Sequence, residues 1–153
     1  MRELKTTHSL EHLSDGAKAT LEITNYLGGT YYLTVDEVVV EGDHYLIQES
    51  KNSSNGFMPS IPDIKDGLFK LILFTNLDTL TLNGNAVPFS VRLKLTGQHV
   101  NGTIRLPCTP IELRHFFNEN RLHCKARQIQ VIKSLNEEVT SNSKLSVELG
   151  GNI

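Results

Sequence analysis

Cysteine is scarce in this sequence, and its scarcity excludes two kinds of site. The chain of 153 residues contains only Cys108 and Cys124, which lie far apart and lack the Cys-x-x-Cys spacing of zinc and redox motifs. Structural zinc is therefore not expected. Because disulfides are rare in the reducing cytosol, we interpret the two residues as reduced thiols of a cytoplasmic protein.

Long hydrophobic runs and an excess of positive charge are also missing. No apolar stretch approaches the roughly 20 residues needed to cross a bilayer, and the first residues show no apolar signal region. The sequence therefore predicts no membrane partner. The formal net charge is −2, so charge alone gives no sign of nucleic acid, although a local basic groove can coexist with an acidic patch.

Several catalytic signatures are absent. The sequence contains no Ser-His-Asp order, no Gly-rich phosphate loop and no dinucleotide fingerprint, which argues against the enzyme classes built on them. His115 and His123 lack the spacing of a zinc-binding HExxH helix. The composition, 39% hydrophobic and 21% charged, predicts one globular domain over residues 1–153. Within it we expect residues 134–153 to be a poorly ordered tail, in which 145–149 could form an edge strand.

A β-hairpin is predicted between residues 34 and 52. Residues 36–40 and 45–48 are rich in β-branched and aromatic side chains, which favour strands. Between them stands Gly42-Asp43, a two-residue loop of the kind that type II′ turns prefer. This turn would place Glu41 opposite His44.

The same register brings two acidic side chains together. Asp36 falls opposite Glu49, and alternation along the strands places both on one face with Lys51. Facing carboxylates repel each other unless a cation lies between them, and one or two carboxylates suit Mg²⁺. A three-residue turn at residues 41–43 is the alternative, and it would separate Asp36 from Glu49.

An aspartate followed on the next strand by Glu-x-Lys resembles the signature of the PD-(D/E)XK nucleases, restriction-endonuclease-like enzymes that cut DNA. Asp36 matches the motif aspartate, Glu49 the first residue of the tripeptide and Lys51 its lysine. Val35 stands where the pattern has proline. The resemblance covers roughly the first half of the chain. It implies an α+β (α/β) fold with a restriction-endonuclease-like core, a mixed central β-sheet flanked by helices.

The resemblance also implies a site and a reaction. Asp36 and Glu49 would hold Mg²⁺, and Lys51 would position the attacking water and offset charge in the transition state. Related nucleases often add a glutamate from a helix. Leu10, Leu13, Ala17 and Leu21 have helical spacing and predict a helix between residues 9 and 27. Glu22 on this helix is therefore a candidate third metal ligand, or else part of a solvated face.

Three further segments carry element signals. Ser60, Pro62 and Asp63 predict the start of a helix that runs to about residue 76, with Gly67 allowing a close approach to the sheet or to DNA. Residues 79–82 and 89–95 predict a second hairpin. Residues 103–106 predict a short strand, after which Thr109-Pro110 opens another helix. Of the three strands that the family core usually has before its second helix, two are clear, and residues 31–33 are a candidate third.

Basic residues outside the hairpin are candidate DNA contacts. Between residues 114 and 133 the chain is locally basic, and such a segment can contact phosphates. Solvated surface is the alternative for all of them, and protection of an exposed strand edge is a second alternative for the pair in residues 89–95. The candidates are Lys65, Lys70, Arg92, Lys94, Arg114, Arg121, Lys125 and Arg127.

These patterns together predict a magnesium-dependent endonuclease that cuts double-stranded DNA, most similar to a type II restriction enzyme. Repair and transposition roles are left open, as is a homodimer. The alternative is a non-catalytic α+β module that binds DNA or protein. In that case Asp36 and Glu49 would be ordinary surface residues of strands.

Overall fold

The computed structural model describes residues 8–10, 17–24, 30–76, 80–82 and 85–151. These residues form two β-sheets and three helices. The elements, in chain order, are β1 (His8–Leu10), β2 (Ala17–Thr24), β3 (Thr30–Glu41), β4 (His44–Asn52), α1 (Ile61–Thr75), β5 (Leu80–Leu82), β6 (Asn85–Ala86), β7 (Phe89–Gly97), β8 (Thr103–Leu106), α2 (Pro110–Glu119), α3 (Ala126–Ser141) and β9 (Leu145–Gly151).

The larger sheet has the strand order β2-β3-β4-β7-β9-β8. Strands β2, β3 and β4 form an antiparallel meander, and β7 and β9 then run parallel to β4. Strand β8 closes the far edge in the antiparallel sense. A mixed sheet combined with helices confirms the predicted α+β class. The smaller sheet pairs β5 with β1 and β6.

Helices α1 and α3 cover one face of the larger sheet. Val91, Leu93 and Leu95 of β7 are fully buried and alternate with half-buried polar residues, so every second residue of this strand faces the helices. The two helices lie side by side and parallel. Their first turns line one cavity, and at their other ends the Asn142 amide lies 3.2 Å from the Thr75 hydroxyl.

The starts of α1 and α2 follow from their capping residues. Ser60 caps α1 by accepting a hydrogen bond from the Asp63 N–H. Thr109 caps α2 in a reciprocal capping box with Glu112. In each helix a proline occupies the first turn, where its missing N–H is not needed. Both predicted helix starts are confirmed.

The predicted helix over residues 9–27 is wrong. Ala17–Thr24 is strand β2, paired in antiparallel register with β3 from Thr24–Thr30 to Ala17–Val38. Leucine spacing suggested a helix, but residues 19–24 also alternate between apolar and polar types and are rich in β-branched residues. Pairing with β3 decides between the two. Glu22 therefore lies on a strand and not on a helix.

The predicted hairpin between residues 79–82 and 89–95 is also wrong. Strand β5 pairs with the two-residue β6, whereas β7 joins the larger sheet between β4 and β9 and runs parallel to both. Alternation in a strand shows which side chains are buried but not which strand is its neighbour. Because β7 is a central strand, Arg92 and Lys94 do not protect a sheet edge.

The poorly ordered tail predicted over residues 134–153 is not found in its described part, because residues 134–141 form the second half of α3 and residues 145–151 form strand β9. Strand β9 lies inside the sheet between β7 and β8, and not at its edge. Leu145, Val147 and Leu149 are almost fully buried there. These three side chains continue the buried face of β7, which explains why a polar sequence segment holds an interior position.

Candidate active site

The β3–β4 hairpin carries the predicted acidic pair. Its ladder runs from Glu41–His44 to Glu37–Gln48, which is the predicted register. Gly42 has a φ of 62°, the positive value that a type II′ turn requires at its first loop position. The paired ladder ends there, and one position further on the Asp36 N–H donates a hydrogen bond to Glu49 Oε2, so the two residues are neighbours across the hairpin. Alternation along the strands places both side chains on the helix-covered face.

Each carboxylate of this pair is held by the backbone of the opposite strand. The Asp36 N–H donates to Glu49 Oε2 at 3.3 Å, and the Ser50 N–H donates to Asp36 Oδ2 at 2.9 Å. Asp36 is exposed, whereas Glu49 is only 2% exposed. The pair thus combines a buried carboxylate with one that solvent or substrate can reach.

Helix α1 approaches this pair closely because it has a glycine at the contact. A Cβ atom on Gly67 would lie 3.3 Å from Glu49 Cγ, 3.3 Å from Lys51 Cε and 2.8 Å from Leu93 Cδ1. Any side chain at this position would force these neighbouring side chains, or the helix itself, to shift. Gly67 therefore explains how one turn of α1 comes to contact Glu49 and Lys51, and packing on the sheet is the confirmed reason for it.

Four charged side chains meet at this contact and form what we call the charged ring: Glu49, Lys51, Asp66 and Lys70. Lys51 Nζ lies 2.8 Å from Asp66 Oδ2 and 3.6 Å from Glu49 Oε1. Lys70 Nζ lies 3.3 Å from Glu49 Oε1 and 3.6 Å from Asp66 Oδ2. Acidic and basic groups alternate around the ring, so the buried Glu49 carboxylate is compensated from two sides.

Contacts within the charged ring shift the pKa values of Lys51 and Asp66. The hydrogen bond from Lys51 lowers the pKa of Asp66 below its ordinary value. The same hydrogen bond, together with the negative charges of Asp66 and Glu49, raises the pKa of Lys51. Lys51 is therefore a cation and Asp66 an anion at neutral pH.

Asp36 and Glu49 supply two carboxylates, the type of oxygen ligand that Mg²⁺ commonly uses. Magnesium keeps several waters and commonly binds through one or two carboxylates together with substrate phosphate oxygens. Among the described side chains, no group of three or more His, Cys, Asp or Glu is placed to share a metal ion. The side chain of Glu22, the third predicted ligand, lies outside that description, and its backbone pairs with Tyr32.

The site lies at the carboxyl end of the parallel strands. Lys51 and Asn52 end β4 there, and Thr96 at the end of β7 donates a hydrogen bond to the Asn52 side chain at 2.8 Å. Ligands of sheets with parallel strands commonly bind at this end, where the loops after the strands meet. Here those loops are residues 53–60 and residues 98–102.

The connection between α2 and α3 reaches the same end of the sheet. The rings of His99, just after β7, and His123 stack with centroids 4.6 Å apart. Asn120 ties the connection to the loop after β7, since its side chain accepts from the Asn101 N–H at 2.7 Å and donates to the Asn101 carbonyl at 3.1 Å. Basic residues on this connection therefore lie at the end of the sheet that holds the site.

The predicted DNA contacts do not form one cleft. Lys70 belongs to the charged ring, and Lys65 is exposed on α1. Arg92 and Lys94 pair in register with Gln48 and Ser50, so they lie on the opposite face of the sheet. Arg92 Nη1 lies 4.0 Å from Glu148 Oε2 on that face.

The other four basic candidates lie on α2, on α3 and on the connection between these helices. Arg114 is exposed on α2, and Arg121 and Lys125 are exposed on the connection after it. Arg127 lies in the first turn of α3 and lines a cavity of about 370 Å³ together with residues 58–62 and Ile64, at and just before the start of α1. Besides Lys70, which belongs to the charged ring, Arg121, Lys125 and Arg127 are thus predicted contacts at the site's end of the sheet.

Asp66 is the site residue that the sequence analysis missed. Its signal was present, since Asp66 and Lys70 stand four residues apart, a spacing that brings side chains together on a helix. Gly67 between them marked the turn that approaches the sheet. The strand position that this turn would meet was not readable from the sequence.

Comparison with protein-family models, curated proteins and solved structures found no match to this chain. Within the described part of the chain, no helix is both long enough and apolar enough to cross a membrane. The two cysteines are free, and burial raises the pKa of both thiols.

Proposed function

We propose that this protein is a magnesium-dependent endonuclease that hydrolyses DNA phosphodiester bonds. The observation that carries the proposal is the placement of Asp36, Glu49 and Lys51. Asp36 and Glu49 are neighbours across one hairpin, where the Asp36 N–H donates to Glu49 Oε2, and Lys51 lies on the same face two residues beyond Glu49. This is the arrangement implied by the resemblance to the PD-(D/E)XK nucleases.

The topology around the hairpin supports the proposal. The family core has three strands before the helix that follows Glu-x-Lys, and strands β2, β3 and β4 precede α1 here. Residues 31–33, the candidate third strand, are part of β3, and β2 is the third strand before α1. A restriction-endonuclease-like core therefore accounts for the order β2-β3-β4 followed by the parallel strands β7 and β9.

The chemistry follows from the charges of the three residues. Asp36 and Glu49 would hold Mg²⁺, which supplies an activated water and neutralises charge on the scissile phosphate. Lys51 presents an ammonium group beside the same carboxylates. There it can hold the attacking water in line and stabilise the charge that develops on the phosphate oxygens.

DNA is the substrate that the surroundings favour. The site opens at the end of the sheet where Arg121, Lys125 and Arg127 are also found, and basic side chains on such a surface neutralise backbone phosphates. A type II restriction enzyme is the form of nuclease that we favour, because the compact architecture of 153 residues resembles those enzymes most among the PD-(D/E)XK nucleases.

The test is cleavage of plasmid DNA with and without Mg²⁺ by the parent protein and by Asp36→Asn. The asparagine oxygen can still accept the Ser50 N–H, so the hairpin should fold, whereas the amide is a poorer ligand for Mg²⁺. We expect the variant to keep the parent melting temperature and to lose cleavage by at least about a hundredfold. Mg²⁺ should stabilise the parent more than the variant.

Asp43→Asn is the matched control, because it removes an acidic group from the other end of the same hairpin and should leave cleavage unchanged. Discrete DNA fragments would identify a restriction enzyme, and a smear would identify a non-specific nuclease. A parent protein that leaves DNA intact and is not stabilised by Mg²⁺ would overturn the proposal in favour of a binding module.

A further inference from the structure

The distances within the charged ring are unequal, and the shorter contact of Lys51 is the one with Asp66. Lys51 Nζ is 2.8 Å from Asp66 but 3.6 Å from Glu49, so its principal partner is the carboxylate on the helix. The Asp66 side chain is 55% exposed and that of Glu49 is 3% exposed. Asp66 therefore draws the Lys51 ammonium outward, toward the open side of the site.

The ring is also balanced, with two carboxylates for two ammonium groups. Glu49 Oε1 already has Lys70 at 3.3 Å. If Asp66 lost its charge, Glu49 would be the remaining ring carboxylate for both lysines. Lys51 would then move toward Glu49 and compete with any cation that binds there, because like charges on one carboxylate weaken each other's binding.

We propose that Asp66 is a positioning residue of the active site, which holds the Lys51 ammonium closer to itself than to Glu49, so that Lys51 competes less with a metal for Glu49 and stays within reach of the substrate. The proposal rests on the nuclease function proposed above. It assigns to α1 a part in the reaction beyond packing, and it gives Gly67 its purpose, since the Asp66 turn must reach β4.

Metal binding without DNA is the direct test. Titration of Mn²⁺ by calorimetry, with Mn²⁺ standing in for Mg²⁺, would compare the parent with Asp66→Asn. We expect the dissociation constant to rise on the order of tenfold, the effect of one extra uncompensated charge near a partly exposed carboxylate. Asp63→Asn removes a carboxylate one turn earlier on α1 that makes no contact with the ring lysines, and it should leave Mn²⁺ binding unchanged.

Charge balance predicts a second-site rescue. Adding Lys70→Met to Asp66→Asn removes the surplus ammonium group, and Mn²⁺ affinity should return to within about threefold of the parent. Asp66→Glu keeps the charge and should also bind Mn²⁺ nearly as the parent does. A purely structural role for Asp66 would predict further damage from the second substitution and not recovery.

Kinetics supply an independent readout. At saturating Mg²⁺, Asp66→Asn should lower kcat by about tenfold with KM for DNA nearly unchanged, because Lys51 is misplaced for the reaction and not for DNA binding. Melting temperatures are measured first, and Asp66→Ser replaces Asp66→Asn if the asparagine variant does not fold.

The outcomes separate this inference from the function on which it rests. If the parent binds Mn²⁺ and cleaves DNA but Asp66→Asn does both equally well, the role of Asp66 is refuted and the nuclease stands. If the double variant binds Mn²⁺ more weakly than Asp66→Asn, the charge-balance argument is refuted. A parent that neither binds Mn²⁺ nor cleaves DNA overturns the nuclease proposal and this inference with it.

Discussion

Gly67 is a residue at which two opposing free energies can be compared. Alanine at this position gains about 1 kcal/mol of helix propensity over glycine. Its Cβ, however, would lie 2.8 Å from Leu93 Cδ1 in a fully buried layer, and overpacking of a core costs about 1–3 kcal/mol. Gly67→Ala should therefore lower the free energy of unfolding by about 1 kcal/mol, measured by urea denaturation.

The same substitution should reduce cleavage by more than its effect on stability explains. The new methyl group would lie 3.3 Å from both Glu49 Cγ and Lys51 Cε, so the side chains of the site must shift to admit it. Gly42→Ala is the control: it also costs about 1 kcal/mol, because φ is positive there, but a Cβ meets nothing within 4 Å. Equal loss of cleavage in the two variants would contradict the role given to Gly67.

At the residue scale, the predicted site pair could be read from a single turn. Gly42-Asp43 fixes the hairpin register, and the register alone places Asp36 opposite Glu49. Asp66 and Lys70 join them through a contact between a helix and a strand. That contact depends on how the whole sheet packs, and residue spacing does not encode it.

At the scale of the elements, the end of α2 is stabilised by the side chain of its C-cap residue, Asn120. Asn120 is 1% exposed, and its amide group makes three hydrogen bonds, to the N–H and carbonyl of Asn101 and to the Phe116 carbonyl. It therefore closes the helix and fastens the loop after β7 to it. Removal of this amide takes the side-chain partner from the part-buried N–H and carbonyl of Asn101 and leaves a gap at a buried position, whereas the Phe116 carbonyl keeps its hydrogen bond from the Asn120 N–H.

Asn120→Ala should accordingly lower the free energy of unfolding by roughly 2–4 kcal/mol. Asn118→Ala, two residues earlier on the exposed side of α2, is the matched control and should change stability by less than about 0.5 kcal/mol. Thermal or urea unfolding of the three proteins measures the difference. Similar stabilities for the two variants would show that the Asn120 bonds contribute little.

Helix starts were predictable at this scale and strand partners were not. Ser60 and Thr109 signal their helices locally, through bonds to residues three positions away. The sequence of β2 is compatible with the leucine spacing of a helix and with the alternation of a strand. Pairing with β3 makes it a strand. Strand β9 looks polar along the chain, yet its three buried residues complete the face of β7.

For the whole molecule, the sheet separates the basic residues into two groups. Arg121, Lys125 and Arg127 lie at the carboxyl end of the parallel strands with the site, whereas Arg92 and Lys94 lie on the face opposite the charged ring. The sequence identified both groups as candidate DNA contacts but held no information on which of them shares a surface with Glu49. The order and direction of the strands determine which basic residues share a surface with Glu49.

DNA binding should therefore depend on the first group and not on the second. Each phosphate contact releases counterions and contributes about 0.9 to the slope of log affinity against log salt concentration. Replacement of Arg121, Lys125 and Arg127 by glutamine should lower that slope by about two to three and weaken binding at low salt. The measurement is fluorescence anisotropy of labelled duplex DNA at several salt concentrations, with Ca²⁺ in place of Mg²⁺ to prevent cleavage.

The double variant Arg92→Gln and Lys94→Gln removes similar charge from the opposite face and should leave the slope nearly unchanged. A larger loss of slope from this double variant would place the DNA on the other face of the sheet, away from Asp36 and Glu49.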